Sequence, residues 1–283
     1  MKFVTFQHNN HAHAGVIVTD QVFSLAGAGF HTVLDVVSGG PEGLHRVRSF
    51  AETGAPGASF PLASVRLLAP VPRPPKIICI GLNYRDHAIE SKLEIPTIPV
   101  VFSKYASSVI GPGESIVLPS NSTKPDYEAE FAVVIGKNGR HVKAADWEQY
   151  VFGYTNLNDV SARDFQMATS QWMIGKTFDT FAPMGPYLVT ADEISDPHNL
   201  NISLTINGET LQNSNTRELI FRIPQLIEHL SSVFTLEPGD VISTGTPSGV
   251  GFSFNPPRWL RAGDSVTVKV EGLGELTNPV VAE

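Results

Sequence analysis

Two glutamates, Glu128 and Glu130, flank one alanine in Asp126-Tyr-Glu-Ala-Glu-Phe-Ala-Val-Val-Ile-Gly136, a run whose apolar remainder reads as strand. Alternate residues of a strand share a face, so both carboxylates point the same way. On a largely buried strand they repel each other and lose their solvent unless a cation sits between them. A third acid, Asp159, closes the alternation Asn156-Leu-Asn-Asp159 just before a helix-like segment. An all-oxygen set with no Cys and no local His suits a hard ion, Mg²⁺ or Mn²⁺, better than Zn²⁺. The competing reading is a half-exposed strand that turns both glutamates to solvent.

Other constellations have chemistry open to them. In Gly81-Leu-Asn-Tyr-Arg-Asp-His-Ala-Ile-Glu90, His87 and Glu90 stand three apart and share a helix face. A carboxylate beside imidazole orients the ring and raises its basicity, as a base acting on water requires. The same spacing also describes an ordinary surface pair. Lys176, after a glycine in the apolar Trp172-Met-Ile-Gly-Lys176, can bind a substrate carboxylate or offset a developing enolate charge. As a surface residue it would only cover apolar neighbours with its stem. Thr244-Gly-Thr-Pro-Ser-Gly-Val-Gly251 lacks the Lys-Ser/Thr ending and glycine spacing of a nucleotide loop. Such a turn either brings backbone N–H groups and the Thr246 hydroxyl to an anionic ligand or simply connects two elements. His8, His11 and His13 cluster at a hairpin turn without an acidic or Cys partner, which makes a poor metal site.

The elements around these residues are mostly strands. Short alternating segments near 3–6, 15–19 and 22–25 and two amphipathic stretches near 33–37 and 44–51 lead to Ala69-Pro-Val-Pro-Arg-Pro-Pro75. Its prolines forbid helix and resist interior strand, so a boundary is expected there, dividing the chain into 1–69 and 70–283. Beyond it, strands are expected near 77–81, 100–102, 115–118, 127–136, 151–158, 184–189, 202–206, 240–243, 265–270 and 274–278. Helices are expected near 86–94, 145–150, 161–169 and 224–234. Closely spaced strands without regular intervening helices disfavour a doubly wound sheet and favour a strand-dominated α+β chain with a curled or sandwiched mixed sheet.

The formal net charge of −8 argues against a nucleic-acid or anionic-membrane partner. The one cysteine, Cys79, falls in the apolar strand Lys76-Ile-Ile-Cys-Ile80 and reads as a small core hydrophobe. A single thiol excludes an internal disulfide framework and fits a reducing compartment. With a strand-like start and no apolar run of membrane length, the expectation is a soluble, cytoplasmic protein.

Taken together, Gly81-Leu-Asn-Tyr-Arg-Asp-His87, Asp126-Tyr-Glu-Ala-Glu130, Asn158-Asp-Val-Ser-Ala-Arg-Asp164, Gly175-Lys-Thr-Phe-Asp-Thr180, Gly239-Asp240 and Gly245-Thr-Pro-Ser-Gly-Val-Gly251 resemble the fumarylacetoacetate hydrolase family. The resemblance runs from about Pro74 to the C-terminus, and the leading residues are similar to the small α+β domain of the family's longer members. It implies a mixed β-roll or sandwich catalytic domain, a homodimer, and Mg²⁺ or Mn²⁺ held by Glu128, Glu130 and Asp159. It further implies a catalytic dyad of His87 and Glu90 on a short lid helix, with Lys176 beside the reacting centre. Arg163, Gln166 and Thr246 match positions that contact the ligand. The expected activity is metal-dependent hydrolysis of a C–C bond in an acylpyruvate-like 2,4-dioxo acid, giving pyruvate and a carboxylic acid. Decarboxylation or keto–enol tautomerisation of oxaloacetate at the same site is the alternative.

Overall fold

The computed structural model describes residues 1–53 and 58–283. Twelve strands form one large mixed sheet and five form a second. The large sheet runs, neighbour to neighbour, through Ser59–Pro61, Gln21–Ser24, His11–Val18, Lys2–His8, Ala182–Thr190, Val151–Asn158, Ala129–Ile135, Val241–Ser243, Ile77–Gly81 and Val100–Lys104. The smaller sheet runs through Glu209–Asn215, Asn201–Ile206, Ser265–Val270, Glu275–Ala282 and Ile116–Leu118.

The alternating pattern dictates how the two sheets meet. In Ser265–Val270, Val266, Val268 and Val270 are buried, while Ser265 and Lys269 face solvent. Their apolar face packs with Ile202, Leu204 and Ile206 against Phe131, Val133 and Ile135 of the large sheet. Ala129–Ile135 is buried at every position, as befits a central strand covered on both faces. The helix Ile223–Val233 contributes Leu226, Ile227 and Leu230 to the same core.

The large sheet continues across the expected boundary. Lys2–His8 pairs antiparallel with Ala182–Thr190, with Phe3 opposite Leu188. Phe3, Val33 and Val47 share a core with Leu188 and Val241. Strands from both sides of the division expected near residue 69 thus belong to one sheet.

Three local expectations shift. The segment near 161–169 splits into a short strand, Ser161–Ala162, and one helical turn, Arg163–Gln166. The helix after Gly81 spans only Arg85–Glu90. Glu209–Asn215 is a strand with no strand-like sequence, because the Asn207-Gly208 turn folds it back onto Asn201–Ile206. No described helix is long and apolar enough to cross a membrane.

Candidate active site

Glu130 lies on Ala129–Ile135 and Glu128 just before it, while Asp159 directly follows the neighbouring strand Val151–Asn158. The pairing of Ala129 with Asn158 and the Asp159 N–H donating to the Glu128 carbonyl (2.9 Å) bring the three acids together. One carboxylate oxygen of each lies within 4.8 Å of the others, and all three residues are buried.

The charges around them are unevenly shared. Lys176 Nζ stands 2.7 Å from Glu128 Oε2 and 2.8 Å from Asp159 Oδ2, and Arg163 Nη2 lies 2.7 Å from Glu128 Oε1. Burial alone would push the Glu128 carboxyl up, yet Lys176 and Arg163 outweigh it and bring its pKa down to about 2. Burial likewise opposes the Lys176 ammonium, but Asp159 and Glu128 hold its pKa above the ordinary lysine value. Glu130 makes no ion pair among the described residues. Its Oε2 accepts from the Ser243 hydroxyl and from Gly245 N–H (2.9 Å). Burial first, then the neighbouring Asp159 and Glu128 charges, drive its pKa well above the usual carboxylate range.

This donor set fits a divalent ion. Three hard oxygens converge, and one belongs to a buried carboxylate with no positive partner, the deficit an oxygen-seeking cation would fill. No histidine or cysteine belongs to the cluster, so the donor set suits a hard divalent ion.

Glu128, Glu130 and Lys176 open onto a cavity of about 510 Å³. His87, Arg163, Gln166 and Thr246 also line it, and Leu93, Phe102, Met167, Trp172, Phe252 and Trp259 supply much of its apolar wall. Of the nine residues singled out from sequence, seven therefore face one space; Asp159 sits behind the acids and Glu90 behind His87. His87 Nδ1 lies 3.5 Å from Glu90 Oε2, and both oxygens of Glu90 accept from Gly249 N–H (2.9 and 3.1 Å). Burial opposes the Glu90 carboxylate, but the bonds from His87 and Gly249 outweigh it and lower its pKa.

Backbone constraints hold this arrangement. Leu82 adopts φ +50°, costly for a branched side chain, where the chain turns from Ile77–Gly81 into the His87 helix. Asn83 pins that turn by donating to the Phe221 and Thr244 carbonyls (3.0 and 2.8 Å) and accepting from Phe221 N–H (2.8 Å). Gly245 passes over it at φ +103°, where an added Cβ would meet Asn83 Cβ at 2.8 Å.

Several participants carry no local sequence signal. Lys104, at the end of an edge strand, is fully buried and donates to Asp159 Oδ1 at 2.6 Å. Asp126 accepts from Arg163 Nε (2.8 Å), Gly251 N–H (2.7 Å) and Phe252 N–H (3.1 Å), tying Arg163 to the loop that carries Phe252. The Phe252 ring in turn stacks against the Arg163 guanidinium, 4.7 Å away, and stands edge-on to His87. Only the position of Asp126 inside the Glu128 motif hinted at this. The histidines near the N-terminus form no metal-type cluster among the described residues.

Comparison with known proteins places these features in context. The model of the fumarylacetoacetate (FAA) hydrolase C-terminal domain matches residues 76–281, and an Rv2993c-like N-terminal model matches residues 1–70. The chain is 53% identical over 223 residues to the rat protein named oxaloacetate tautomerase Fahd2a, mitochondrial, covering 78% of this chain and 71% of that protein. It is 47% identical over 252 residues to the cattle protein named oxaloacetate tautomerase FAHD2A, mitochondrial, covering 88% and 80%. Among solved structures, maleylpyruvate hydrolase from Sphingobium sp. SYK-6, in complex with manganese (II) ion and pyruvate, superimposes with a TM-score of 0.83 at 32% identity. The match covers 100% of this chain and 99% of that one. These names overturn the cytoplasmic placement expected from sequence, since both curated relatives are mitochondrial by name. A lone buried thiol does not distinguish cytosol from mitochondrial matrix, both of which keep thiols reduced.

Proposed function

Since this chain belongs to the fumarylacetoacetate hydrolase family, we propose that it is a divalent-metal-dependent oxaloacetate keto–enol tautomerase. The observation that carries the reading is the buried convergence of Glu128, Glu130 and Asp159 beside Lys176 at the floor of the cavity. The two relatives named as oxaloacetate tautomerases favour it over the C–C hydrolase expected from sequence.

A divalent ion held by the three acids would act as a Lewis acid toward the carboxylate and 2-oxo oxygens of the substrate. The remaining work falls to the chain. His87, oriented by Glu90, takes the proton from C3 of the keto form and returns it in the reverse direction. Lys176, kept protonated by its carboxylate partners, offers a proton or hydrogen bond at the 2-oxo oxygen. Arg163, fixed by Asp126 through Nε and by Gln166 Oε1 through Nη1 (2.8 Å), orients the ligand, and Thr246 adds a hydroxyl. The apolar wall excludes water, which tautomerisation does not consume.

Lys124 supports a dicarboxylate. Of the three cationic side chains lining the cavity, Arg163 and Lys176 are paired with carboxylates, whereas Lys124 makes no ion pair among the described residues. In this reading it receives the substrate's second carboxylate.

Hydrolysis of an acylpyruvate-like acid remains the second reading, favoured by the His87–Glu90 pair and by the likeness to a maleylpyruvate hydrolase. Stopped-flow decay of enol-oxaloacetate absorbance with Mg²⁺ separates the two. Acceleration well above buffer, without pyruvate release from acylpyruvates, supports the tautomerase; pyruvate release with unaccelerated enol decay overturns it. The homodimer implied by the family is part of this proposal, supported by exposed Ile89, Ile95, Ile98 and Val101 around the edge strand Val100–Lys104. Light scattering that gives the mass of one chain removes it.

A further inference from the structure

Gln212 lies on the polar strand Glu209–Asn215, an edge of the smaller sheet, and yet is completely buried. Its side-chain amide bridges two parts of the site. Oε1 accepts from Ala129 N–H at 2.8 Å, between the two glutamates. Nε2 donates to the Pro247 carbonyl and to Thr246 Oγ1, both at 2.9 Å.

The amide cannot be turned around. A backbone N–H can only donate and a backbone carbonyl can only accept, so Ala129 and Pro247 together fix which end is oxygen and which nitrogen. Both amide hydrogens are then committed, one of them to Thr246. The Thr246 hydroxyl is thereby an acceptor toward Gln212, and its own hydrogen has no protein acceptor among the described residues. Thr246 lines the cavity, so that hydrogen is available only to what occupies it. The loop has little freedom to rearrange. Gly249 sits at φ +96° with an added Cβ only 2.0 Å from the Leu211 carbonyl, so the loop lies directly on the strand that carries Gln212.

We propose that Gln212 is a positioning residue that sets the Thr246 hydroxyl as a hydrogen-bond donor to an anionic oxygen of the bound 2-oxo acid. The proposal rests on the reading of the cavity as a 2-oxo acid site. It explains why a completely buried glutamine stands on a polar edge strand far from the acids in sequence.

The test measures pyruvate binding by calorimetry in saturating Mg²⁺ for wild type, Thr246→Ser, Thr246→Val, Gln212→Met and the double variant Gln212→Met/Thr246→Val. Thr246→Ser keeps wild-type affinity, and Thr246→Val weakens it about tenfold, as expected for a lost bond to a charged group. Gln212→Met weakens it comparably, and the double variant is no weaker than the worse single one, because Gln212 acts only through the Thr246 hydroxyl. Losses that multiply in the double variant, or a Gln212→Met protein of wild-type affinity, overturn the proposal. So does a wild-type protein that binds no pyruvate. Should Gln212→Met not fold, Gln212→Glu serves instead. Its carboxylate accepts from both Ala129 N–H and the Thr246 hydroxyl, reversing that hydroxyl, so affinity falls and Thr246→Val adds nothing; wild-type affinity or a further loss overturns the proposal. Enol-oxaloacetate decay on the same wild-type sample reports separately on the tautomerase reading. Unaccelerated decay with the binding pattern intact would remove that reading and leave Gln212 in place.

Discussion

Lys176 Nζ sits 2.8 Å from Asp159 Oδ2, and the other oxygen of that carboxylate is held by Lys104 at 2.6 Å. Two buried ammonium groups thus neutralise the acid that lies deepest, and Lys176 also serves Glu128. Glu130 is left with neutral donors only, which makes it the most sensitive probe of a bound cation.

Glu130→Gln should abolish stabilisation by magnesium. A ligand at about 100 times its dissociation constant stabilises by about 2.7 kcal/mol, several degrees in melting temperature for a chain of this length. Wild type should show that shift in differential scanning calorimetry and the variant none. The metal-free variant should melt at or above wild type, because one of three crowded buried acids has been neutralised. An unchanged magnesium shift removes Glu130 from the proposed ligand set.

His87→Asn should lower kcat for enol–keto conversion by roughly 10²–10⁴-fold, the usual worth of a positioned base. The magnesium-induced melting shift should stay at its wild-type size, since His87 is separate from the acid cluster. Glu90→Gln should produce a smaller loss in the same direction, as it removes the orienting carboxylate and keeps the ring. Near-normal turnover in His87→Asn would transfer the proton step to another group.

Lys124→Gln should discriminate between ligands. Lys124 is exposed, so its attraction for a distal carboxylate is worth about two- to fivefold in KM for oxaloacetate. Pyruvate, which has no second carboxylate, should bind with unchanged affinity. Equal effects on both ligands would contradict the assignment.

His198 should make stability depend on pH. Its Nε2 accepts from Ile223 N–H at the start of the helix Ile223–Val233 (3.3 Å), a bond only the neutral ring can make. Burial first, then the Arg222 charge, lower its pKa below 6.5, against a smaller opposing effect of Asp196. Folding favours the unprotonated ring, so its contribution is complete above pH 6.5 and is lost as pH falls through the depressed value. Denaturation midpoints should drop below pH 6.5 in wild type and drop less in His198→Gln, which keeps an acceptor that does not titrate. Parallel curves would dismiss His198.

What was legible in the sequence was local. Period-two alternation identified the strand at Ser265–Val270, because it buries one face and that demand is written into adjacent residues. The spacing of Glu128 and Glu130 identified a shared face, and the order of the motifs identified the family. Glu209–Asn215 escaped notice because its register comes from the hairpin and not from its own polar side chains.

Partnership across long separations was decided by the tertiary structure. Nothing near Lys104 marks it as the partner of Asp159, 55 residues away, nor Gln212 as the partner of Ala129, 83 residues away. Likewise, sequence raised the question of whether Glu128 and Glu130 meet water or each other, and only their enclosure between two sheets answered it. Secondary structure follows from interactions between neighbours in the chain. The charge balance of a buried site depends on which distant side chains the folded sheets deliver into one low-dielectric space, and no short window of residues contains that information.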